Sequence, residues 1–328
     1  MTPTVTILMA TYNDWPCVAA LLPLIDAQLT AINRRGRVVV VDDGSTSQEG
    51  RAVVQRLGME SIDCVTSLNL ARNLGNQRAL AVGLAYVAEH QPADHVIVMD
   101  SDHEDNPAYI PDLIKACEAS TSRSIIFAAR SKRSEGLVFT IWYSAYKALY
   151  QVLTGMPIAI GNFSVIPRQL LRRLASVSEL WSHYPAAIMR SRISYGSIPS
   201  DRGVRYAGKS NMSLVSLVLH ALSGFAVHSE IVGVRILLAT VGTALTVLTL
   251  MGVVVGLKFF TDLPILGWTS QIVALLLVLL FQMIITTLIM VFIVITMRTQ
   301  VPLIPLQEYR RFVAEVEPLL PPGPPHLL

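Results

Sequence analysis

The sequence contains few charged residues and few cysteines. Only 15% of its 328 residues are Asp, Glu, Lys or Arg, against about 25% in a typical soluble domain, whereas 52% are hydrophobic. The three cysteines, Cys17, Cys64 and Cys117, are far apart and form no CxxC pair. This spacing argues against a disulfide framework or a zinc site and fits a reducing compartment. A purely soluble enzyme and a disulfide-rich secreted domain are therefore both disfavoured.

Basic runs and glycine-rich phosphate loops are also missing. The formal net charge is only +3, and no basic run carries interleaved aromatic residues, so a nucleic-acid partner is not expected. Neither GxGxxG nor GxxxxGK[ST] occurs, which argues against dinucleotide and P-loop chemistry. The N-terminal residues lack a basic segment followed by a long apolar one. We therefore expect no signal peptide and a cytosolic position for the front of the chain.

Two long stretches toward the C-terminus contain no charged residues. Residues 236–257 and 263–297 contain no Asp, Glu, Lys or Arg. About 20 apolar residues suffice to cross the ~30 Å hydrocarbon core of a bilayer, so each stretch predicts a transmembrane helix. The short connector between them predicts a hairpin. Arg235 and Arg298 flank this hairpin, and the positive-inside rule then places both of its ends in the cytosol.

The front half alternates β-rich runs with helical patterns, which is typical of a mostly parallel sheet covered by helices. Strands are predicted at residues 4–9, 37–43, 61–67, 95–100 and 124–130, and helices at 47–57, 76–90 and 109–119. Two amphipathic stretches, 137–153 and 214–227, predict helices that either face the core or lie on a membrane surface. The membrane surface is favoured for the second. The proline-rich tail from Pro318 is predicted to be flexible.

Acidic residues cluster where two of the predicted strands end. Asp42 and Asp43 follow one strand, and Asp100 and Asp102 follow another. Open α/β sheets bind ligands at the carboxyl ends of their strands, and Mg²⁺ or Mn²⁺ typically combines one or two carboxylates with substrate phosphate oxygens. An acidic, solvated turn is the alternative for a lone Asp-x-Asp. Its position directly after a buried strand favours the metal site.

Seven motifs, in a defined order, carry a resemblance to a known family. They are ATYND at 10–14, VVDDGST at 40–46, ARNLGNQRALAVGL at 71–84, DSDHEDNP at 100–107, AARSKR at 128–133, GNFSVIPR at 161–168 and RYAGKSNMS at 205–213. The sequence is similar to family 2 glycosyltransferases of GT-A fold. Within them it is most similar to the polyprenyl-phosphate branch that includes dolichol-phosphate mannose synthase and bacterial undecaprenyl-phosphate glucosyltransferases.

The resemblance implies an α/β protein with a GT-A (Rossmann-like, mostly parallel) catalytic domain and a two-helix C-terminal transmembrane hairpin. The catalytic domain is expected at residues 1–212 and an amphipathic juxtamembrane segment at 213–230. The hairpin is expected at 231–298, with spans at about 231–257 and 266–297, and a cytosolic tail at 299–328. The expected location is the bacterial inner (cytoplasmic) membrane, as a multi-pass protein with its catalytic domain in the cytosol.

The resemblance also implies roles for individual residues. The residues expected to bind a UDP- or GDP-sugar are Thr11, Tyr12, Asp14, Asp43, Arg72 and Asn73. Those expected to hold Mg²⁺ or Mn²⁺ are Asp100, Asp102 and Glu104. Those expected to contact the phosphates or the lipid acceptor are Arg130, Arg133, Arg205 and Lys209, and Arg130 joins Asp100 and Asp102 as a catalytic residue.

Three positions depart from the family pattern. Many relatives have an acid at Asn162, an arginine at Ser164 and a lysine at Asn211. An amide cannot act as a general base, but a lipid monophosphate is mostly ionised near neutral pH because its second pKa is about 6. The predicted function is therefore metal-assisted, inverting transfer of a sugar from a nucleotide sugar to a polyprenyl phosphate, with undecaprenyl phosphate as the expected acceptor.

Two other functions stay open. A membrane glycosyltransferase that extends a polysaccharide or glycolipid hydroxyl needs a base, and its processive members carry QxxRW. Here Gln169 and Arg172 are followed by Arg173. A non-catalytic membrane scaffold that binds a nucleotide sugar is opposed by Asp100 and Asp102 but is compatible with the departures. The sequence does not indicate which sugar or nucleotide is used, or whether the chain forms a homo-oligomer.

Overall fold

The computed structural model describes residues 4–91, 93–120, 123–130, 137–156, 160–201, 203, 222–261, 267–299 and 302–320. Its contacts divide the chain into two compact units. One unit contains residues 1–141, 158–227 and 302–328, and the other contains residues 142–157 and 228–301.

The first unit is built on one sheet. Its strands are β1 (Thr4–Thr11), β2 (Arg35–Asp42), β3 (Ile62–Leu70), β4 (His95–Val98), β5 (Ile125–Arg130), β6 (Ser164–Pro167), β7 (Tyr195–Ser200) and β8 (Val313–Leu320). They lie in the order β7-β5-β6-β4-β1-β2-β3-β8. The pairs β1–β2, β1–β4, β2–β3 and β5–β7 are parallel, whereas β6 runs antiparallel to β4 and β5, and β8 antiparallel to β3. The predicted mostly parallel α/β sheet is confirmed.

Helices connect and flank these strands. They are α1 (Trp15–Ala31), α2 (Arg51–Val54), α3 (Asn76–His90), α4 (Ile110–Ala119), α5 (Leu137–Thr154), α6 (Arg168–Ala175), α7 (Tyr184–Arg190), α8 (Ser229–Phe260), α9 (Trp268–Thr299) and α10 (Pro305–Glu308). Single 3₁₀ turns lie at Pro107–Tyr109, Ser178–Trp181 and Tyr309–Arg311.

The central strands are buried on both faces, as their unbroken apolar runs predict. Val38 to Val41 of β2 are completely buried. Helices α1 and α4 pack on one face of the sheet, and α3, α6 and α7 pack on the other. Gly83 brings α3 close to the sheet, because an added Cβ would lie 2.6 Å from Leu8 Cδ1 and 2.7 Å from Val41 Cγ2. The sandwich of helices around this sheet fixes where the strand ends lie.

The second unit contains the two long apolar helices. The segments Ser229–Phe260 and Thr269–Thr296 are long and apolar enough to cross a membrane, with mean hydropathies of 2.1 and 2.8 and few buried residues. Helices α8 and α9 pack against each other, and a Cβ at Gly233 would lie 2.7 Å from Val294 Cγ2. Both helices cover the predicted spans. The connector at 262–266 lies outside the described residues.

Helix α5 joins the second unit from Trp142 onward. The Arg235 guanidinium donates a hydrogen bond to the Val152 carbonyl, and the Tyr150 ring stands edge-on to His228 with centroids 6.1 Å apart. Leu149 and Val152, on the predicted apolar side, are 53% and 69% exposed. This side of the helix therefore does not face a core, although Tyr150 on another side is completely buried. Of the second amphipathic stretch only 222–227 is described, as helix.

Some local predictions differ from the structure, and α1, α6, α7, β6 and β7 were not predicted. The helix predicted at 47–57 shortens to Arg51–Val54, because the loop before it bonds to Asn13 instead. The short strand β6, which was not predicted, inserts between β4 and β5. The flexible tail predicted from Pro318 is wrong for 318–320, which belong to β8. The predicted cytosolic tail at 299–328 thus contributes a strand to the sheet.

Candidate active site

The ends of β1 and β2 lie side by side. The Asp43 N–H donates to the Thr11 carbonyl at 2.9 Å, and Thr11 is buried while the next residue, Tyr12, is 43% exposed. The Asp43 carboxylate accepts the backbone N–H groups of Leu74 and Gly75 at 2.7 and 2.8 Å. Burial raises the pKa of Asp43, and these two N–H groups oppose that rise. Asp43 therefore fastens the start of α3 to the end of β2.

The loop after β2 is hydrogen-bonded to the loop after β1. Asn13, with a φ of 53°, accepts the backbone N–H groups of Thr46 and Ser47 through its side-chain oxygen at 2.8 and 2.9 Å. The Asn13 N–H in turn donates to Ser45 Oγ at 2.9 Å. Next along the chain, the carbonyl of Asp14 accepts the first N–H groups of α1. The two loops thus form one continuous surface beside Tyr12.

Arg72 and Asn73 are held beside this surface by a glycine. Gly44 has a φ of +73°, and a Cβ there would lie 2.9 Å from the Asn73 nitrogen and 3.0 Å from the Arg72 carbonyl carbon. Because both contacts are with backbone, a larger residue would push this loop away. The side chains of Arg72 and Asn73 are exposed. Because this loop contacts Gly44, the predicted nucleotide-binding residues of β1, β2 and this loop lie close together.

Asp42 has different partners from Asp43. Its carboxylate accepts the indole N–H of Trp15 at 2.9 Å and lies 3.6 Å from a guanidinium nitrogen of Arg51, which stacks over the Trp15 ring at 5.1 Å. A cavity of about 570 Å³ opens here, lined by Asp42, Gly44, Ser45, Gln48, Arg51, Ala52, Gln55, Asn69, Leu70, Glu315 and Glu317. Its volume is within the range of small-molecule sites.

The Asp-x-Asp pair follows β4, as predicted. All four residues of β4 are buried, whereas Asp100 and Asp102 are partly exposed. Asp102 accepts the Glu104 N–H at 3.1 Å, which closes a tight turn. His103 has a φ of 69°, and its Nε2 lies 3.3 Å from the Cys17 carbonyl. Burial lowers the pKa of His103, so this ring favours the neutral form next to the acids.

The segment after β7 rests on this turn. The Gly203 N–H donates to the Glu104 carbonyl at 2.9 Å, and the Asp201 N–H donates to the Tyr109 hydroxyl at 3.1 Å. A Cβ on Gly203 would lie only 2.1 Å from the His103 carbonyl oxygen. Only glycine permits this close approach of backbone to backbone.

Asn162 contacts the first acid of the pair directly. Its side-chain amide donates to Asp100 Oδ1 at 3.2 Å, and its oxygen lies 3.4 Å from the Gln77 amide nitrogen. The Gln77 oxygen accepts the Tyr184 N–H at 2.6 Å. Ser164, where many relatives have arginine, is completely buried and shares a 2.7 Å hydrogen bond with the Tyr184 hydroxyl. The departures at 162 and 164 are thus built into the packing.

The acids fit one mode of metal binding. Within the described residues, no group of three or more His, Cys, Asp or Glu side chains is arranged to hold a metal ion. Mg²⁺ and Mn²⁺ also bind through one or two carboxylates completed by phosphate oxygens and water. Asp100 and Asp102 fit that second mode, because they follow one strand and are partly exposed. A role for Glu104 stays a prediction.

The predicted acceptor residues fall mostly outside the described part of the chain. Arg130 is the last residue of β5, opposite Ser200 of β7, and its side chain is not described. Arg133, Arg205 and Lys209 lie outside the described residues, as does Asn211.

Sequence reasoning missed Trp15, Arg51 and the two glutamates of β8 that line the cavity. Trp15 reads as an apolar residue at a helix start, and Arg51 as a surface cation. The alternation of Glu315 and Glu317 with Val316 is a weak strand signal that could have placed β8.

Comparison with known proteins identifies relatives of this chain. The chain is 25% identical over 214 residues to an uncharacterized glycosyltransferase, YkcC, of Bacillus subtilis (strain 168), covering 64% of each protein. It is 25% identical over 170 residues to an undecaprenyl-phosphate 4-deoxy-4-formamido-L-arabinose transferase of Klebsiella pneumoniae, covering 52% of this chain and 49% of that one. The chain therefore matches less than two thirds of the length of these curated relatives.

A solved structure of glucosyl-3-phosphoglycerate synthase from Mycobacterium tuberculosis, with Mn²⁺, UDP-glucose and phosphoglyceric acid, aligns with a TM-score of 0.49 at 16% identity. The alignment covers 70% of this chain and 80% of that chain. The family model described as glycosyl transferase family 2 matches residues 6–175, which include the acidic ends of β2 and β4. The chain belongs to glycosyl transferase family 2.

Proposed function

We propose that this protein transfers a sugar from a nucleotide sugar to a membrane polyprenyl phosphate, with inversion at the anomeric carbon. The proposal combines the family membership with the two apolar helices of the same chain. It also fits the name of the Klebsiella relative, which specifies undecaprenyl phosphate. Undecaprenyl phosphate is accordingly the first acceptor to test.

The observation that carries the choice of acceptor is the hydrogen bond from Asn162 to Asp100. An amide at this position donates to the acid and cannot remove a proton from a hydroxyl acceptor. A phosphate monoester oxygen is already anionic near neutral pH, because its second pKa is about 6. Asn162 therefore favours a phosphate acceptor over the hydroxyl of a glycan.

The reaction balances as a single displacement. An acceptor phosphate oxygen forms a bond to the anomeric carbon while the bond from that carbon to the donor diphosphate breaks. The bonding pair leaves with the diphosphate, so the products are a polyprenyl-phosphate sugar and a nucleoside diphosphate. No proton transfer to a side chain is needed, and the enzyme acts by orientation and by charge complementarity.

The described residues divide between the two ends of the donor. The cavity beside Asp42 and the surface formed by Tyr12, Arg72 and Asn73 suit the nucleoside, since they combine an exposed aromatic ring with polar groups. Asp100 and Asp102 would hold a Mg²⁺ or Mn²⁺ ion, whose chemistry is to offset the negative charge of the diphosphate. Asn162 orients Asp100 for that role.

The two apolar helices suit a protein whose acceptor is a lipid. By length and composition, each can cross a bilayer. The exposed Leu149 and Val152 of α5, in the same compact unit, suit the membrane interface. We propose that the protein is anchored in the cytoplasmic membrane of a bacterium with its catalytic unit in the cytosol.

Product analysis tests the proposal. Purified protein in detergent is incubated with a panel of UDP- and GDP-sugars and with undecaprenyl phosphate, and lipid products are identified by mass spectrometry. Undecaprenol, which lacks the phosphate, is the matched control acceptor. We expect a phosphate-linked sugar from at least one donor and no product from undecaprenol. Transfer to undecaprenol, or to a glycan hydroxyl alone, would contradict the proposal.

Arg130 provides a residue-level test of the acceptor site. Arginine binds phosphate through two parallel hydrogen bonds, so we expect Arg130→Ala to raise the KM for polyprenyl phosphate about tenfold or more. The KM for the donor should stay near its original value. Arg123, exposed before the same strand, gives the control Arg123→Ala. Unchanged lipid dependence in Arg130→Ala would remove Arg130 from the acceptor site.

A further inference from the structure

Strand β8 brings two carboxylates to the cavity beside Asp42. In its pairing with β3, Glu315 lies opposite Asn69 and Glu317 opposite Ser67. Residues two apart in a strand share a face, and both glutamates line the cavity. They come from a segment that follows both apolar helices in the chain. The far end of the sequence therefore contributes to the candidate nucleoside site.

Glu317 forms an ion pair with Arg51, 266 residues away in sequence. The Arg51 side chain is only 12% exposed, so its charge is largely withdrawn from water. On its other side, the guanidinium approaches Asp42 at 3.6 Å and stacks over Trp15. Arg51 is thus held between a carboxylate of β2 and a carboxylate of β8.

Asp42 links Arg51 to the loops of the site through hydrogen bonds. Its Oδ1 accepts the Ser45 N–H at 2.8 Å, and Ser45 Oγ accepts the Asn13 N–H at 2.9 Å. Asn13 is the neighbour of the exposed Tyr12. A continuous path of polar contacts therefore leads from Glu317 to the loops after β2 and β1.

Arg51 also donates to the side-chain oxygens of Gln48 at 2.9 Å and Asn69 at 3.3 Å, but its two charged partners are Asp42 and Glu317. Glu317 is 35% exposed, so the ion pair itself adds little to the free energy of folding. A mostly buried guanidinium that loses one partner, however, gains by turning toward water. That movement would take the cation away from Trp15 and Asp42. The main effect of losing Glu317 is then a displaced loop rather than an unfolded protein.

We propose that Glu317 is a positioning residue for the donor nucleoside, which acts through Arg51 and Asp42 on the loops that carry Ser45 and Tyr12. The inference rests on the proposed function and adds to it a requirement for the strand that follows the apolar helices. It concerns donor binding and not the lipid acceptor.

Steady-state kinetics with Glu317→Gln test the inference. Loss of one charge-assisted contact predicts a rise of about fivefold to tenfold in the KM for the nucleotide sugar. The kcat and the KM for polyprenyl phosphate should change less than about twofold. Glu317→Asp, which keeps the charge, should recover part of the donor KM. Glu308, which follows the same apolar helices, pairs with the exposed Arg311 at 2.8 Å and does not line the cavity, so Glu308→Gln is the control.

Hydrogen exchange supplies a readout that does not need turnover. Peptides covering residues 44–50 should exchange faster in Glu317→Gln than in the wild type or in Glu308→Gln, because the Ser45 N–H relies on Asp42. Equal exchange in all three proteins would overturn the inference, and so would an equal rise in donor KM for both glutamine variants.

Calorimetry with UDP and GDP tests the proposed function separately from the positioning role of Glu317. If neither nucleotide binds the wild type, the proposed function fails. If one binds the wild type and Glu317→Gln equally well, only the positioning role fails. Weaker binding to Glu317→Gln alone supports both.

Discussion

The acids that follow β2 and those that follow β4 occupy equivalent places in the sheet but differ in environment. Asp42 and Asp43 are each only 3% exposed, and their carboxylates accept hydrogen bonds from Trp15, Ser45 and the start of α3. Asp100 and Asp102 stay partly exposed at the end of β4, which is separated from β2 by β1. Acids at the carboxyl end of a parallel sheet are therefore not interchangeable: one pair holds loops in place, and the other leaves its carboxylates partly exposed.

Asp43 contributes to the predicted nucleotide site indirectly. Both of its oxygens are engaged by backbone N–H groups, so its contact with the start of α3 holds the exposed loop of Arg72 and Asn73 in place. We expect Asp43 to affect donor binding through that loop, whereas Asp100 and Asp102 should affect the chemical step.

Replacing an acid after β4 should produce the largest effect. We predict that Asp102→Ala lowers kcat by a hundredfold or more, because charge stabilisation of the departing diphosphate is lost. The melting temperature of Asp102→Ala should stay close to that of the wild type. The control Asp112→Ala, on the exposed side of α4, should keep wild-type activity. The measurement is sugar transfer with added Mg²⁺ or Mn²⁺. Near wild-type turnover in excess chelator would contradict a metal role for this pair.

Replacing an acid after β2 should act first on stability. Asp43→Ala leaves the Leu74 and Gly75 N–H groups without their acceptor, and we predict a loss of about 1–3 kcal/mol in the free energy of unfolding. The donor KM should rise while kcat changes less. Urea titration followed by kinetics measures both quantities. Asp43→Asn keeps one acceptor oxygen, so its free energy of unfolding should lie between those of the wild type and Asp43→Ala. A stable Asp43→Ala with an abolished kcat would contradict the prediction.

The turn that carries Asp102 can be disturbed without touching an acid. Gly203→Ala places a methyl group against the His103 carbonyl oxygen, so we predict about a tenfold lower kcat/KM and a melting temperature lower by a few degrees. Gly58→Ala is the control, since a Cβ there meets no atom within 4 Å. Wild-type kinetics for Gly203→Ala would show that the segment after β7 does not help to shape the Asp-x-Asp turn.

The smallest predicted effect concerns the start of β4. Burial lowers the pKa of His95 below its usual 6.5, so the unfolded chain binds this proton more readily than the folded one. Stability should therefore fall as the pH drops through 6.5 toward the folded-state pKa. Melting temperatures between pH 7.5 and 5.5 should fall less steeply for His95→Leu. The control Ile97→Val, at a buried apolar side chain of the same strand, should keep the wild-type slope because it carries no titrating group.

The parts of the fold that follow from continuous patterns were predictable. The helix at 76–90 matches its prediction, because its apolar spacing and the glycine before it are local signals. The strand before Asp100 and the two long apolar helices follow equally from unbroken apolar runs. The strands β6 and β8 were not predictable in this way, because neither contains a long apolar run and each pairs with a strand that is distant in sequence.

The residues of the site also differ in whether a local pattern predicts them. Asp100 and Asp102 could be identified because a motif and a strand end coincide. The role of Arg51 could not, because it arises from contacts with Trp15, Asp42 and Glu317, which lie on three different elements of the fold. Likewise, the bond between Asn162 and Asp100 joins residues 62 positions apart. Pairwise geometry of this kind is set by packing and leaves no local pattern.

The place of β8 in the sheet also orders events during synthesis. Its partner β3 leaves the ribosome early, whereas residues 313–320 emerge only after both apolar helices have been made. Until then, the edge of β3 presents unpaired backbone N–H and C=O groups, which are a template for pairing with another chain. The nascent protein is thus open to wrong strand pairing while its apolar helices are being synthesised, and a chain truncated before residue 313 keeps that vulnerable edge permanently.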